Sequence, residues 1–175
     1  MDFFAIGFGF DTIDPEYKAI IEEDGTLINS ERYDRARDVT VGCSYGVNHG
    51  VHEFRIKSLH DFNSHSAIGI TSNIQVIANA KASWLNKYDG YKYWWYETNA
   101  IFTQTGEVTT NRQIIPNKWG KKDIISVRVN CVDWKVGFYV NNKMFGQEIE
   151  IEKNHSYYLV VAFQNIGVKY KLLFP

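Results

Sequence analysis

One run in the C-terminal half constrains this chain more than any other feature. Ile125, Val127 and Val129 alternate with Ser126, Arg128 and Asn130; Trp134, Val136, Phe138 and Val140 then alternate with Lys135, Gly137 and Tyr139. Apolar residues at every second position describe a half-buried strand, because successive side chains of a strand leave opposite faces. Cys131-Val132-Asp133 reads as the short connection between the two. Asn141-Asn142 comes next, and asparagine tolerates the positive φ that a two-residue hairpin turn demands. This run predicts antiparallel strands packed on one side.

The rest of the chain agrees with less contrast. Residues 3–10, 39–43, 51–57 and 67–72 are strand candidates, and Asp24-Gly25 and His49-Gly50 are turn signals. Residues 157–163 and 168–174 flank Asn165-Ile166-Gly167 and read as a further hairpin, with Val168, Tyr170, Leu172 and Phe174 on one face. Asp14 to Lys18 could form one helical turn, with Pro15 at its first position. Aromatic residues reach 15% of the chain, and long period-3.6 apolar stripes are missing, so strands outweigh helices. Short strands with frequent turns, and connections too short for crossover helices, predict an all-β, mainly antiparallel sandwich or barrel.

Size and charge narrow the class. A chain of 175 residues is expected to form a single domain, 1–175, and to bury about 70% of its unfolded surface without a disulfide or metal. Its 19 basic and 20 acidic residues nearly cancel, which argues against a nucleic-acid or anionic-membrane surface. The N-terminal segment has no basic region or cleavage pattern of a signal peptide, and no apolar run approaches the roughly 20 residues that span a bilayer. A cytoplasmic location is expected, with Cys43 and Cys131 reduced and buried on strands as small hydrophobes. The sequon at Asn154-His155-Ser156 is then a chance match. No metal or other cofactor is expected. His49 and His52 should leave opposite faces of a strand, and His60 and His65 should be solvated loop residues.

Six stretches in order resemble the SPRY (B30.2-type) family. Ile20 to Leu27, ending Asp24-Gly25-Thr26-Leu27, is similar to its early strand and turn. Gly50-Val51-His52-Glu53-Phe54-Arg55-Ile56 is similar to its glycine-led strand, with Glu53 and Phe54 in swapped order. Ala67-Ile68-Gly69-Ile70 resembles its W-x-V-G-V strand without the aromatic, and Asp123 to Val127 its G-D-V-I-G-V strand without the glycines. Gly137 to Gly146 resembles F-x-x-N-G-x-x-L-G, and Tyr157 to Val161 resembles Y-Y-P-x-V with Leu159 in place of proline. The resemblance is to a divergent member. It implies a bent sandwich of two antiparallel sheets, related to concanavalin A-like lectins and glucanases. It further implies a monomeric, non-catalytic module that binds a peptide or protein through loops at one end of the sandwich, as a scaffold or a substrate-recruiting part of, for example, a ubiquitin ligase.

The candidate contact residues follow. Seven aromatics fall between Trp84 and Tyr96. Tyr93 to Tyr96 resemble a family core strand, and alternation should bury about half of them. Trp84, Tyr88 and Tyr91 lie among Asn86, Lys87, Asp89 and Gly90, a loop composition, and offer large amphipathic contact area. In the segment before Val39, Arg32, Tyr33 and Arg35 could hold a partner's carboxylates bidentately; a solvated mixed-charge loop is the plainer alternative. Gln164 and Asn165 fall near another family contact position, or serve turn chemistry. A carbohydrate-binding sandwich is the rival function, since exposed Trp and Tyr also stack on sugar rings. A glycoside hydrolase using Glu148 and Glu152 is the third. The Glu148-Ile149-Glu150-Ile151-Glu152 run resembles the E-I-D-I-E run of certain glucanases, but residues four apart on a straight strand are about 13 Å apart and a retaining pair needs about 5 Å. An edge strand with both isoleucines inward and the glutamates in water accounts for it.

Overall fold

The computed structural model describes residues 10–11, 21–30, 39–60, 66–72, 92–97, 100–105, 108–114, 119–163 and 167–173. Among them fourteen strands form two seven-stranded sheets. The first sheet takes β1 (Phe10–Asp11), β4 (Val39–Val47), β13 (Tyr157–Phe163), β6 (Ser66–Thr71), β7 (Lys92–Glu97), β8 (Ala100–Thr105) and β9 (Val108–Ile114), in that spatial order. The second takes β12 (Lys143–Glu150), β11 (Lys135–Val140), β10 (Ile124–Asn130), β5 (Val51–Ser58), β14 (Lys169–Leu173), β3 (Leu27–Asn29) and β2 (Ile21–Glu22). Every pairing is antiparallel. The only helical element among the described residues is a 3-10 turn, Glu23–Gly25, at the expected Asp24-Gly25 site.

The hairpin legible in the sequence is present. β10 pairs with β11 from Ile125 opposite Val140 to Asn130 opposite Lys135. Ile125, Val127, Val129, Val136 and Phe138 are fully buried, so alternation places one face of each strand in the core. Asn141 and Asn142 close the β11–β12 turn at φ 50° and 66°, which asparagine accepts at less cost than a β-branched residue would. The β10–β11 connection is one residue longer than expected: Trp134, at φ 55°, belongs to the turn and packs half-buried on the core. Ile28, Ile56, Tyr170 and Leu172 from one sheet meet Val41, Ile68, Ile70 and Val161 from the other in a single apolar cluster.

Four expectations need correcting. Residues 157–173 are not a hairpin: β13 pairs with β4 and β6 in the first sheet, while β14 pairs with β3 and β5 in the second. The connection crosses between the layers, although Val168, Tyr170 and Leu172 do share the buried face as expected. His60 is buried, not solvated. His49 lies in the β4–β5 turn, where strand alternation does not apply, and its ring meets that of His52 edge-on at 5.9 Å between centroids. Cys131 is buried with a free thiol as expected, but in a turn; Cys43 is buried on β4. Burial pushes the Cys43 thiol up to about 12, so it is no nucleophile at neutral pH.

The glutamate run forms the edge expected of it. β12 is the outermost strand of its sheet; Ile149 and Ile151 are buried, while Glu148, Glu150 and Glu152 are exposed. The helical turn expected at 14–18, the strand at 3–9 and His65 lie outside the described residues.

Candidate functional site: the loop-bearing end of the sandwich

Register identifies which connections share an end. Phe163 stands opposite both Val39 and Ser66, so the segments 31–38, 61–65 and 164–166 all leave the first sheet at one end. In the second sheet Lys169 stands opposite Asn29 and Tyr170 opposite Ser58, which brings the stems of the same three segments together there.

Those stems are joined by buried bonds across long stretches of chain. Ser30 is buried where β3 ends. Its backbone N–H donates to the Val168 carbonyl at 2.9 Å, and the Val168 N–H donates to Ser30 Oγ at 2.8 Å. The Ser30 hydroxyl in turn donates to the Val168 carbonyl at 3.2 Å. Segments 31–38 and 164–166 thus spring from a common clamp. Next along, the Leu59 N–H donates to the Lys169 carbonyl at 2.8 Å, and His60 Nδ1 lies 2.9 Å from the Lys169 carbonyl oxygen and 3.0 Å from the Lys169 nitrogen. Nδ1 donates to that carbonyl when it carries the proton and accepts from the Lys169 N–H when it does not, so either tautomer ties His60 to Lys169. The His60 ring stands edge-on to Tyr170 at 4.7 Å between centroids.

Beneath the clamp lies a buried polar chain. Trp119 Nε1 donates to the Tyr170 hydroxyl at 3.2 Å, and Ser66 also bonds to that hydroxyl. Full burial outweighs both bonds and raises the Tyr170 hydroxyl to about 12. Asp123 secures the neighbouring turns, accepting from the Gly120 N–H at 2.6 Å and from Asn141 Nδ2 at 2.7 Å. Such bonds hold loop bases in fixed positions, because a buried polar group that loses its partner costs about 1–3 kcal/mol.

The candidate contact residues themselves lie outside the described residues. Arg32, Tyr33 and Arg35 sit in the segment that starts at the Ser30 clamp, and Gln164 and Asn165 in the segment that ends at it. Trp84, Tyr88 and Tyr91 lie in segment 73–91, whose flanking strand residues Thr71 and Tyr93 pair with each other at the opposite end of the sheet. Sequence reading therefore grouped residues whose stems lie at two ends. It missed the roles of Ser30, Ser66 and Trp119 and took His60 for a solvated loop residue, since single residues whose partners are distant in sequence carry no periodic signal. Among the described residues no three His, Cys, Asp or Glu side chains gather where they could hold a metal ion. No helix among the described residues is long and apolar enough to cross a membrane.

Two antiparallel sheets around one core, with the stems of three segments joined at one end, make a β-sandwich. No family model and no curated protein matches the chain. Solved structures do. The SPRY domain of human HERC1 superposes with a TM-score of 0.67 at 17% identity, over 94% of this chain and 96% of that one. The TRIM65 PSpry domain gives 0.66 at 10% identity, over 97% and 93%. Stonustoxin gives 0.57 at 15% identity, and there the match covers 93% of this chain but only 26% of the toxin chain. The fold is that of SPRY domains, carried by a strongly divergent sequence.

Proposed function

We infer that this chain is a non-catalytic interaction module that grips a peptide or protein surface at the loop-bearing end of its sandwich. The observation behind this reading is the Ser30–Val168 clamp, which roots segments 31–38 and 164–166 side by side on a rigid double sheet. Loops fixed at their stems lose less entropy on binding than free ones. Arg32 and Arg35 would orient a partner's carboxylates, Tyr33 would add apolar area, and Gln164 and Asn165 would bond the partner's backbone. Trp84, Tyr88 and Tyr91 would join this surface only if segment 73–91 returns along the sheet; otherwise they form a second one.

The test is affinity capture followed by rebinding of each purified captured protein. Arg32→Ala with Arg35→Ala should abolish rebinding while circular dichroism stays that of the parent. Trp84→Ala with Tyr91→Ala, measured alongside, decides whether one end or two make contact. Rebinding that survives both double variants overturns the reading. A saturable glycan-array signal would replace it with the carbohydrate-binding one. Hydrolysis of a β-glucan that is lost on Glu148→Gln would replace it with an enzyme.

A further inference from the structure

The β4–β5 turn, at the end of the sandwich away from the Ser30 clamp, brings two imidazoles together. Gly50 stands at φ 68°, a left-handed conformation that turns the chain back within Asn48-His49-Gly50. The Gly50 carbonyl accepts from the Cys131 N–H at 2.8 Å, which ties this turn to the β10–β11 connection. His49 is exposed, and His52, opposite Val129 near the start of β5, is half-buried. Their rings lie nearly perpendicular with centres 5.9 Å apart.

Hydrogen bonds fix which nitrogen of each ring carries the proton. His52 Nε2 lies 2.7 Å from the His49 carbonyl oxygen, which only accepts, so Nε2 donates. His49 Nδ1 lies 2.8 Å from Asn48 Oδ1, also an acceptor only, so Nδ1 donates. Each neutral ring keeps one nitrogen with a lone pair: Nε2 on His49 and Nδ1 on His52. Neither accepts a hydrogen bond among the described residues. Metal-binding histidines are held in this way, with one nitrogen donating to an oxygen and the other left for the ion. The spacing suits one shared ion. With each nitrogen about 2.1 Å from zinc and the ring centre about 1.1 Å beyond it, two rings on a tetrahedral ion have centres about 5 Å apart. The observed 5.9 Å leaves less than about 1 Å to close, within reach of side-chain rotation at the exposed His49.

We propose that His49 and His52 together bind one zinc(II) ion, through Nε2 of the first and Nδ1 of the second, with water in the remaining positions. Neutral imidazoles suit zinc, whereas magnesium and calcium demand oxygen donors. Two protein ligands with open positions make an exchangeable site, unlike the closed four-ligand sets of structural zinc. Asn48 and the His49 carbonyl support the two rings from behind. This site lies at the opposite end from the segments proposed for recognition and does not depend on them.

The test titrates the full chain with zinc chloride by isothermal calorimetry in a non-chelating buffer, beside magnesium chloride. Zinc should bind saturably at one ion per chain, and magnesium should not bind. His49→Ala and His52→Gln should each weaken zinc binding at least about tenfold, while His155→Ala, at another exposed histidine, should leave it unchanged. Asn48→Ala should weaken it about tenfold, since it takes away the acceptor that holds the His49 Nδ1 proton. Saturating zinc should raise the urea midpoint of the parent and leave that of His49→Ala where it is. In the parent, zinc should shift the ring-proton resonances of His49 and His52 and spare those of His155, a readout that needs no variant to fold. No saturable uptake below millimolar zinc, undiminished binding in His49→Ala, equal loss in His155→Ala, or shifts confined to other histidines would each overturn the proposal.

Discussion

The two ends of the sandwich are held by different kinds of bond. At the loop-bearing end the ties are buried and join residues far apart in sequence: Ser30 to Val168, His60 to Lys169, Trp119 to Tyr170. At the other end one backbone bond, from the Cys131 N–H to the Gly50 carbonyl at 2.8 Å, is long-range, and the side-chain bonds are local. Asn130 Oδ1 accepts from the N–H groups of Val132 and Asp133, His52 Nε2 meets the His49 carbonyl at 2.7 Å, and the Tyr157 hydroxyl donates to the Glu152 carbonyl at 2.6 Å. A local turn forms from its own few residues; a long-range clamp exists only once the sheets have met. The end proposed for recognition is therefore the one whose geometry depends on the whole fold.

The largest break in that contrast comes from Trp119→Ala. It empties a buried volume under the clamp and removes a donor to Tyr170, and should cost about 3–5 kcal/mol in urea unfolding. Tyr170 supplies a test at alkaline pH. Its folded value lies above the unfolded 10.0, so its contribution is complete below pH 10 and is lost as pH rises through about 12. The loss should be on the order of 2–3 kcal/mol, and Tyr170→Phe should show a flatter stability profile across that window.

Ser30→Ala should cost about 1–3 kcal/mol, because the Val168 N–H loses its acceptor inside the protein. Amide exchange should accelerate at Val168 ahead of the sheet centres. Asn130→Ala, its counterpart at the other end, should cost less than about 1 kcal/mol, since water can replace an exposed acceptor. If the two variants cost the same, or Asn130→Ala costs more, the distinction between the ends fails.

Legibility followed the same line. The β10–β11–β12 meander was readable because its alternation, its Asn-Asn turn and its partners are all contiguous. The glutamate run was readable as an edge for the same reason. Residues 157–173 misled because two apolar runs around Asn-Ile-Gly look like a hairpin, yet β13 and β14 find partners in different sheets. His60 misled because its burial comes from Lys169 and Tyr170, more than a hundred residues away. The histidines at 49 and 52 misled because His49 lies in the turn before β5, where strand alternation does not set its ring against that of His52.

The sequence by itself determined that this chain folds as strands, which face of each meets the core, and where Asn141 and Asn142 turn it, because a period of two and a positive φ are local properties. The tertiary structure alone decided which strand joins which sheet and which three segments share an end. Any strand edge offers the same row of N–H and C=O groups, so partner choice falls to the packing of the two faces around the common core. Ser30 and Ser126 make the point together: both are buried serines, and only their neighbours across the sheet make one a clamp and leave the other a donor without an acceptor.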